Sequence, residues 1–119
     1  MGQHKQRLGR AGEEVAAEYL SGIGHRILAR NWRTSTGELD LISVAGEQLI
    51  AVEVKTRTSD KFGTAFEAIN AAKFRRIHRL IRQWARENNL MTMQVRVDVL
   101  CIYKENVGWR IEHHRQVGS

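Results

Sequence analysis

Residues 37–57 constrain this chain more than any other stretch. Two strand-length runs rich in Leu, Ile and Val flank a short break at Ala45-Gly46-Glu47. Such a pattern predicts a β-hairpin. Three charges sit inside the apolar runs: Asp40 in the first, Glu53 and Lys55 in the second. Side chains alternate across a strand, so Glu53, Lys55 and Arg57 share one face and Val52 and Val54 the other. Whether Asp40 joins Glu53 depends on the parity of the loop. A two-residue loop at Gly46-Glu47, or a four-residue loop at 45–48, sets Asp40 opposite Glu53. A three-residue loop sets it opposite Val52 unless a bulge restores the register.

With the even loop, two carboxylates converge beside an ammonium. Paired hard oxygens suit Mg²⁺ or Mn²⁺, with Asp40 and Glu53 as the metal ligands. Lys55 can then stabilise charge building on a phosphate or orient an attacking water. This is equipment for metal-assisted phosphodiester hydrolysis. The same charges also fit a solvated outer face of an antiparallel hairpin, carrying a cross-strand ion pair.

Asp40, twelve intervening residues and then Glu53-Val54-Lys55 resemble the PD-(D/E)XK nuclease signature. The wider pattern is Gly12-Glu13, Asn31-Trp32-Arg33, Gly37-Glu38-Leu39-Asp40, Glu53-Val54-Lys55-Thr56-Arg57, Phe62-Gly63, Lys73 and Arg96-Val97-Asp98-Val99. It resembles the bacterial YraN-like family, a group of predicted endonucleases related to archaeal Holliday-junction resolvases. The chain departs from the superfamily pattern in placing Leu39, rather than proline, before Asp40. The resemblance implies a restriction-endonuclease-like fold and an active-site role for Asp40, Glu53 and Lys55. It adds Glu13, on the first helix, to the catalytic group. Glu38 and Lys73 become secondary members.

The 119 residues predict one domain, with residues 1–7 a flexible basic N-terminus. A helix follows, from about Leu8 or Arg10 to Leu20, then a strand from His25 to Arg33. Another helix is expected over about 65–87. Phe66, Ile69, Ile77, Leu80, Ile81 and Trp84 form its apolar face. Strands at 95–103 and 109–113 complete an α, β, β-hairpin, α, β, β order. The fold class is mixed α/β: a central mixed sheet flanked by helices in three layers.

Charge points to the partner. The net charge is +6 and the pI about 10.1, values typical of chains that meet polyanions. Arg75, Arg79, Arg82 and Arg86 recur at helical spacing with few acidic residues nearby, which suits phosphate contact as well as a solvated helix face. Arg33 and Arg57, flanking the hairpin, join the expected nucleic-acid contacts. The single cysteine, Cys101, reads as a small core residue. His113 and His114, adjacent on a strand, read as surface residues, and none of the histidines shows a metal-ligand spacing. No membrane span or leader is evident, so the expected location is cytoplasmic. The expected partner is DNA, cut with Mg²⁺ or Mn²⁺, by a protein compatible with a two-fold homodimer. Two further readings use the same residues: a catalytically silent nucleic-acid-binding module with the nuclease fold, and a protein-interaction domain.

Overall fold

The computed structural model describes residues 2–58 and 70–118. Helix α1 (Gly2–Gly22) leads into strand β1 (Arg26–Thr34), followed by β2 (Gly37–Ala45) and β3 (Gln48–Arg57). Helix α2 (Ala71–Glu87), β4 (Gln94–Lys104) and β5 (Trp109–His114) complete the chain. One five-stranded sheet has the order β1-β2-β3-β4-β5. All neighbours are antiparallel except β3 and β4, which run parallel and are joined through α2. The mixed α/β class and the element order are those expected.

The helices cover opposite faces. Ala16 and Leu20 of α1 pack with Leu41, Ile50, Val52, Leu100 and Ile102. On the other face, Ile77, Leu80, Ile81 and Trp84 of α2 pack with Ile42, Ala51 and Val97. The period-2 pattern of β3 and β4 divides their residues between two apolar layers, so both helices bury a stripe against one sheet.

Two helix starts differ from the sequence reading. Helix α1 begins at Gly2, before the Leu8 or Arg10 start and within the stretch expected to be a flexible tail. That expectation followed the apolar period, but straight-chain polar residues such as Gln, Lys and Arg are good helix formers without it. Helix α2 begins at Ala71 rather than near Ala65. Asn70 caps it: its backbone is extended (φ −109°), and its side chain accepts from the Lys73 N–H at 2.9 Å. The expected positions Phe62, Gly63, Phe66 and Ile69 lie outside the described residues.

Candidate active site

The parity question is settled by the turn. Ala45 pairs with Gln48, which leaves Gly46-Glu47 as a two-residue loop. Gly46 takes φ +59° while Glu47 stays at negative φ, the pattern of a type II′ turn with glycine first. The paired register runs to Leu41↔Val52, so Asp40 and Glu53 stand next in line across the two strands. Here the ladder gives way. The Asp40 Oδ2 accepts from the Val54 N–H at 2.9 Å. Leu39 packs on the α2 side and Leu41 on the α1 side, although strict alternation would place them together. Asn31, between the β1 residues paired with Leu39 and Leu41, has φ +51°. The strands therefore change pitch where the carboxylates sit.

Glu53 is buried and receives two ammonium groups on one oxygen. Lys73 Nζ lies 3.0 Å and Lys55 Nζ 3.4 Å from its Oε1. Lys55 is two residues along the same strand face. Lys73 arrives from the first turn of α2, where the Asn70 cap fixes the helix end.

Burial pushes the Asp40 carboxyl up, and the charge of Glu53 adds to this, taking it to about 7 against the opposing Val54 N–H bond. Glu13 and Glu38 raise it further. Burial and the neighbouring Lys73 hold the Lys55 ammonium below its ordinary value. Lys73 shifts the other way: burial opposes its charge, but Lys55, Glu53 and Asp40 favour it more strongly. The two lysines are thus differentiated, with Lys55 the readier to release a proton.

Glu13 comes near through a glycine. A Cβ at Gly12 would collide with Thr56 Oγ1 and Cγ2, so α1 lies directly on β3 only because position 12 has no side chain. That seating puts the half-buried Glu13 within electrostatic reach of Asp40. Glu13 does not join Asp40 and Glu53 in a tight trio: among the described residues, only Cys101, Glu112 and His114 have three ligand atoms within 4.8 Å of one another. Glu38 is exposed and pairs with Arg33 at 3.0 Å, rather than pointing its carboxylate at the Asp40–Glu53 pair as a third ligand. Glu14 faces outward and pairs with Arg30 at 3.0 Å.

The arginine stripe forms as spaced. Arg75, Arg79, Arg82 and Arg86 are all exposed on α2, and none has an ion-pair partner among the described residues. They border two concavities of about 580 and 590 Å³ alongside Val95 at the start of β4. Arg57 is exposed, and its guanidinium donates to the Thr56 carbonyl at 2.9 Å.

Two histidine readings need correction. The His113 side chain is 5% exposed, not a surface group. Its Nε2 meets Asp98 Oδ2 at 2.8 Å and its Nδ1 meets the Tyr19 hydroxyl at 2.9 Å. Asp98, fully buried, also accepts two bonds from Arg96 at 2.8 Å and one from the Gln116 N–H at 3.1 Å. These contacts hold its carboxyl well below the usual range although burial pulls the other way. This network lies on the α1 face, across the sheet from Glu53 and Lys55, so Arg96 and Asp98 pair with each other rather than entering the acid–amine cluster. His114 is half-buried, within the trio that includes Cys101. Cys101 itself is buried, as expected, and burial raises its thiol to about 11.

No helix among the described residues is long and apolar enough to cross a membrane. The family model described as "Uncharacterised protein family UPF0102" matches residues 12–102, a span holding every residue of the acid–amine cluster. A UPF0102 protein of Arthrobacter sp. (strain FB24) is 47% identical over 115 residues, 96% of this chain and 98% of the relative. One from Frankia casuarinae is 46% identical, covering 93% of this chain and 95% of its own. Another, from Beutenbergia cavernae, is 42% identical over 96% of this chain and 98% of its own.

Proposed function

We propose that this chain, which belongs to the uncharacterised protein family UPF0102, is a divalent-metal-dependent endonuclease that hydrolyses phosphodiester bonds in DNA. The observation that carries the reading is the convergence of Asp40 and Glu53 at the point where β2 and β3 part, with Lys55 and Lys73 on the same Glu53 oxygen. A solvated surface ion pair does not need a buried glutamate or an Asp whose carboxyl is pushed up by burial and by a neighbouring carboxylate. The PD-(D/E)XK resemblance points the same way.

The carboxylates fit a hard divalent cation. Asp40 is raised first by burial and then by the like charge of Glu53 beside it, and a bound cation would relieve that repulsion. Asp40 and Glu53 would hold Mg²⁺ or Mn²⁺, and the lysine contacts of Glu53 fall on Oε1 rather than on its other oxygen. When bound, the ion would polarise a phosphoryl oxygen and lower the pKa of water.

The remaining work falls to the chain's own groups. The Val54 N–H fixes Asp40 through Oδ2. Lys73 holds the Glu53 carboxylate from one side and acts as a positioning residue. The Lys55 Nζ, with its ammonium depressed, orients the attacking water or stabilises charge on the phosphate, and can release a proton nearer neutrality than an exposed lysine. Glu13 keeps the site acidic from α1. The arginine face of α2 begins two residues beyond Lys73 and supplies phosphate contacts along the duplex arms. Branched DNA such as a four-way junction is one substrate shape within this reading, and a two-fold homodimer in the cytoplasm would match its symmetry.

A second reading has an observation of its own. The exposed arginines of α2 need no catalysis to bind phosphate, so a silent nucleic-acid-binding module fits them equally. One experiment separates the two: cleavage of labelled four-way junction, flap, single-stranded and duplex DNA with Mg²⁺ or Mn²⁺, by wild type, Glu53→Ala and Lys55→Ala. Metal-dependent cutting that disappears in both variants supports the nuclease. Binding without cutting by wild type, with either metal and excess protein, overturns it in favour of the module.

A further inference from the structure

Strands β4 and β5 bring together three side chains that the acid–amine cluster does not use. Cys101 pairs directly with Glu112 across the antiparallel ladder, and His114 lies two residues beyond Glu112 on the same face. Their ligand atoms all fall within 4.8 Å of one another. The set is chemically mixed: a thiol sulfur, an imidazole nitrogen and a carboxylate oxygen. We propose that Cys101, Glu112 and His114 form a binding site for a borderline-soft divalent cation of the Zn²⁺ class, separate from the hard-cation pair Asp40 and Glu53.

One of the three ligand–ligand distances already matches what such an ion requires. Zinc bonds of about 2.0–2.3 Å at tetrahedral angles place neighbouring ligand atoms roughly 3.3–3.6 Å apart. Glu112 Oε1 already lies 3.6 Å from His114 Nε2. The other oxygen of Glu112 accepts from Arg110 Nη1 at 2.8 Å, a contact that aims Oε1 toward the histidine. His114 Nε2 is itself shut off from solvent. Cys101 closes the inner side at 0% exposure, while the Glu112 and His114 side chains keep about a third of their surface exposed. Three protein ligands leave one of the four tetrahedral positions for a water or an incoming ligand.

Ligand type separates this site from the other. Thiolate and imidazole select Zn²⁺ and its analogues over Mg²⁺, which prefers oxygen. Binding has a defined balance: the Cys101 S–H bond breaks, a sulfur–metal bond forms, and the proton leaves to buffer. The site is also placed to matter. Lys55, Cys101 and Glu112 form one row across β3, β4 and β5, so the cation would sit on the same sheet face as Lys55.

Co²⁺ added to the full-length reduced protein is the probe. Wild type should take up one equivalent with an intense thiolate-to-cobalt charge-transfer absorption, which an all-carboxylate site cannot give. Zn²⁺ should displace it, and calorimetry in buffers of different ionisation enthalpy should show a proton released per ion. The band should persist in Asp40→Ala and disappear in Cys101→Ser and His114→Ala, while Glu112→Gln weakens binding at least tenfold. His114 lies on a partly exposed edge strand, so His114→Ala decides the matter if Cys101→Ser does not fold. A wild type without the band, or a band that survives His114→Ala, overturns the site. Neither outcome touches the nuclease reading, which rests on other residues.

Discussion

Lys73 Nζ stands 3.0 Å from Glu53 Oε1, joining the first turn of α2 to the middle of the sheet through one buried carboxylate. Lys55 reaches the same oxygen from two residues along β3 at 3.4 Å. One lysine is thus fixed by a capped helix and the other by its strand. Their division of labour can be tested. Lys73→Met should lower stability by about 1 kcal/mol or less, because the lysine is a third exposed and Lys55 remains. Under the nuclease proposal its effect on DNA cleavage should be larger, roughly 10- to 100-fold in kcat with KM little changed, since a loosened Glu53 would misplace a bound cation. Lys73→Arg should restore part of the rate. A Lys73→Met variant with wild-type kcat would remove the positioning role.

The Asp40 carboxylate works against stability. Its carboxyl is held near 7 in the folded chain against 3.8 as its ordinary value. Between these values the folded state binds more protons than the unfolded one, so stability falls as pH rises through the window, and the full penalty is present above about pH 7. A carboxyl moved from 3.8 to about 7 sets a ceiling of about 4 kcal/mol. Coupling to Glu53 and solvent screening leave an effect on the order of 1–2 kcal/mol. Asp40→Asn should therefore raise Tm at pH 8 and leave it nearly unchanged at pH 4, while abolishing cleavage. Mg²⁺ should raise Tm above pH 7 in wild type only. Thermal melts across pH, with and without Mg²⁺, check both, and an Asp40→Asn variant less stable at pH 8 would show that the carboxylate is not strained.

Asp98 has the opposite sign. Contacts with His113, Arg96 and the Gln116 N–H outweigh its burial and hold the carboxyl well below the usual range. It therefore contributes stability that is fully present above the unfolded value and fades as pH falls through the acid region toward its folded value. Asp98→Ala leaves Arg96 and His113 in a sheltered pocket without their shared anion, and should lower stability by about 3–5 kcal/mol at pH 7. Denaturant melts of this variant should also show a shallower acid dependence below pH 4 than wild type. A change under 1 kcal/mol would contradict this account.

The arginine face predicts a salt signature. Every arginine–phosphate pair removed from a duplex complex should reduce the slope of log affinity against log salt by about 0.9. Arg79→Ala with Arg82→Ala should thus weaken binding similarly across DNA sequences and reduce the slope by about 2. Fluorescence anisotropy at several salt concentrations measures it. An unchanged slope would return α2 to a solvated face.

The hairpin register was legible because side-chain alternation turns loop length into a question of parity, and a glycine at position 46 favours the two-residue solution. The arginine stripe was legible because helical spacing is local. Other features depend on partners far away in the chain. His113 looks like a surface residue until Tyr19, 94 positions earlier, and Asp98 are folded against it. The Cys101, Glu112 and His114 trio requires the β4–β5 register, which the turn at Asn106-Val107-Gly108 does not specify by itself. Asn70 did carry a local signal: an Asn three residues before Lys73, ahead of a strongly amphipathic stretch, is an N-cap pattern. It was overridden by apolar residues upstream that extend the helical period.

Gly12 joins fold to site most directly, and its replacement is the sharpest test of how α1 is seated. A methyl group at position 12 would collide with Thr56 Oγ1, with Thr56 Cγ2 and Cβ at 2.7 and 2.9 Å. Helical propensity alone favours alanine there by up to about 1 kcal/mol. Overpacking against a β-branched residue in a paired strand opposes it by roughly 1–3 kcal/mol, so Gly12→Ala should be destabilising on balance. Thr56→Ala removes the two outer atoms and should recover part of the stability, giving a favourable coupling in the double-mutant cycle. Because the helix must lift, Glu13 should move away from Asp40, and the Asp40 carboxyl should titrate below about 7, observable by NMR of the side-chain carboxyl. An additive cycle with unchanged Asp40 titration would mean that α1 has slack at this contact and that Glu13 is not positioned by it.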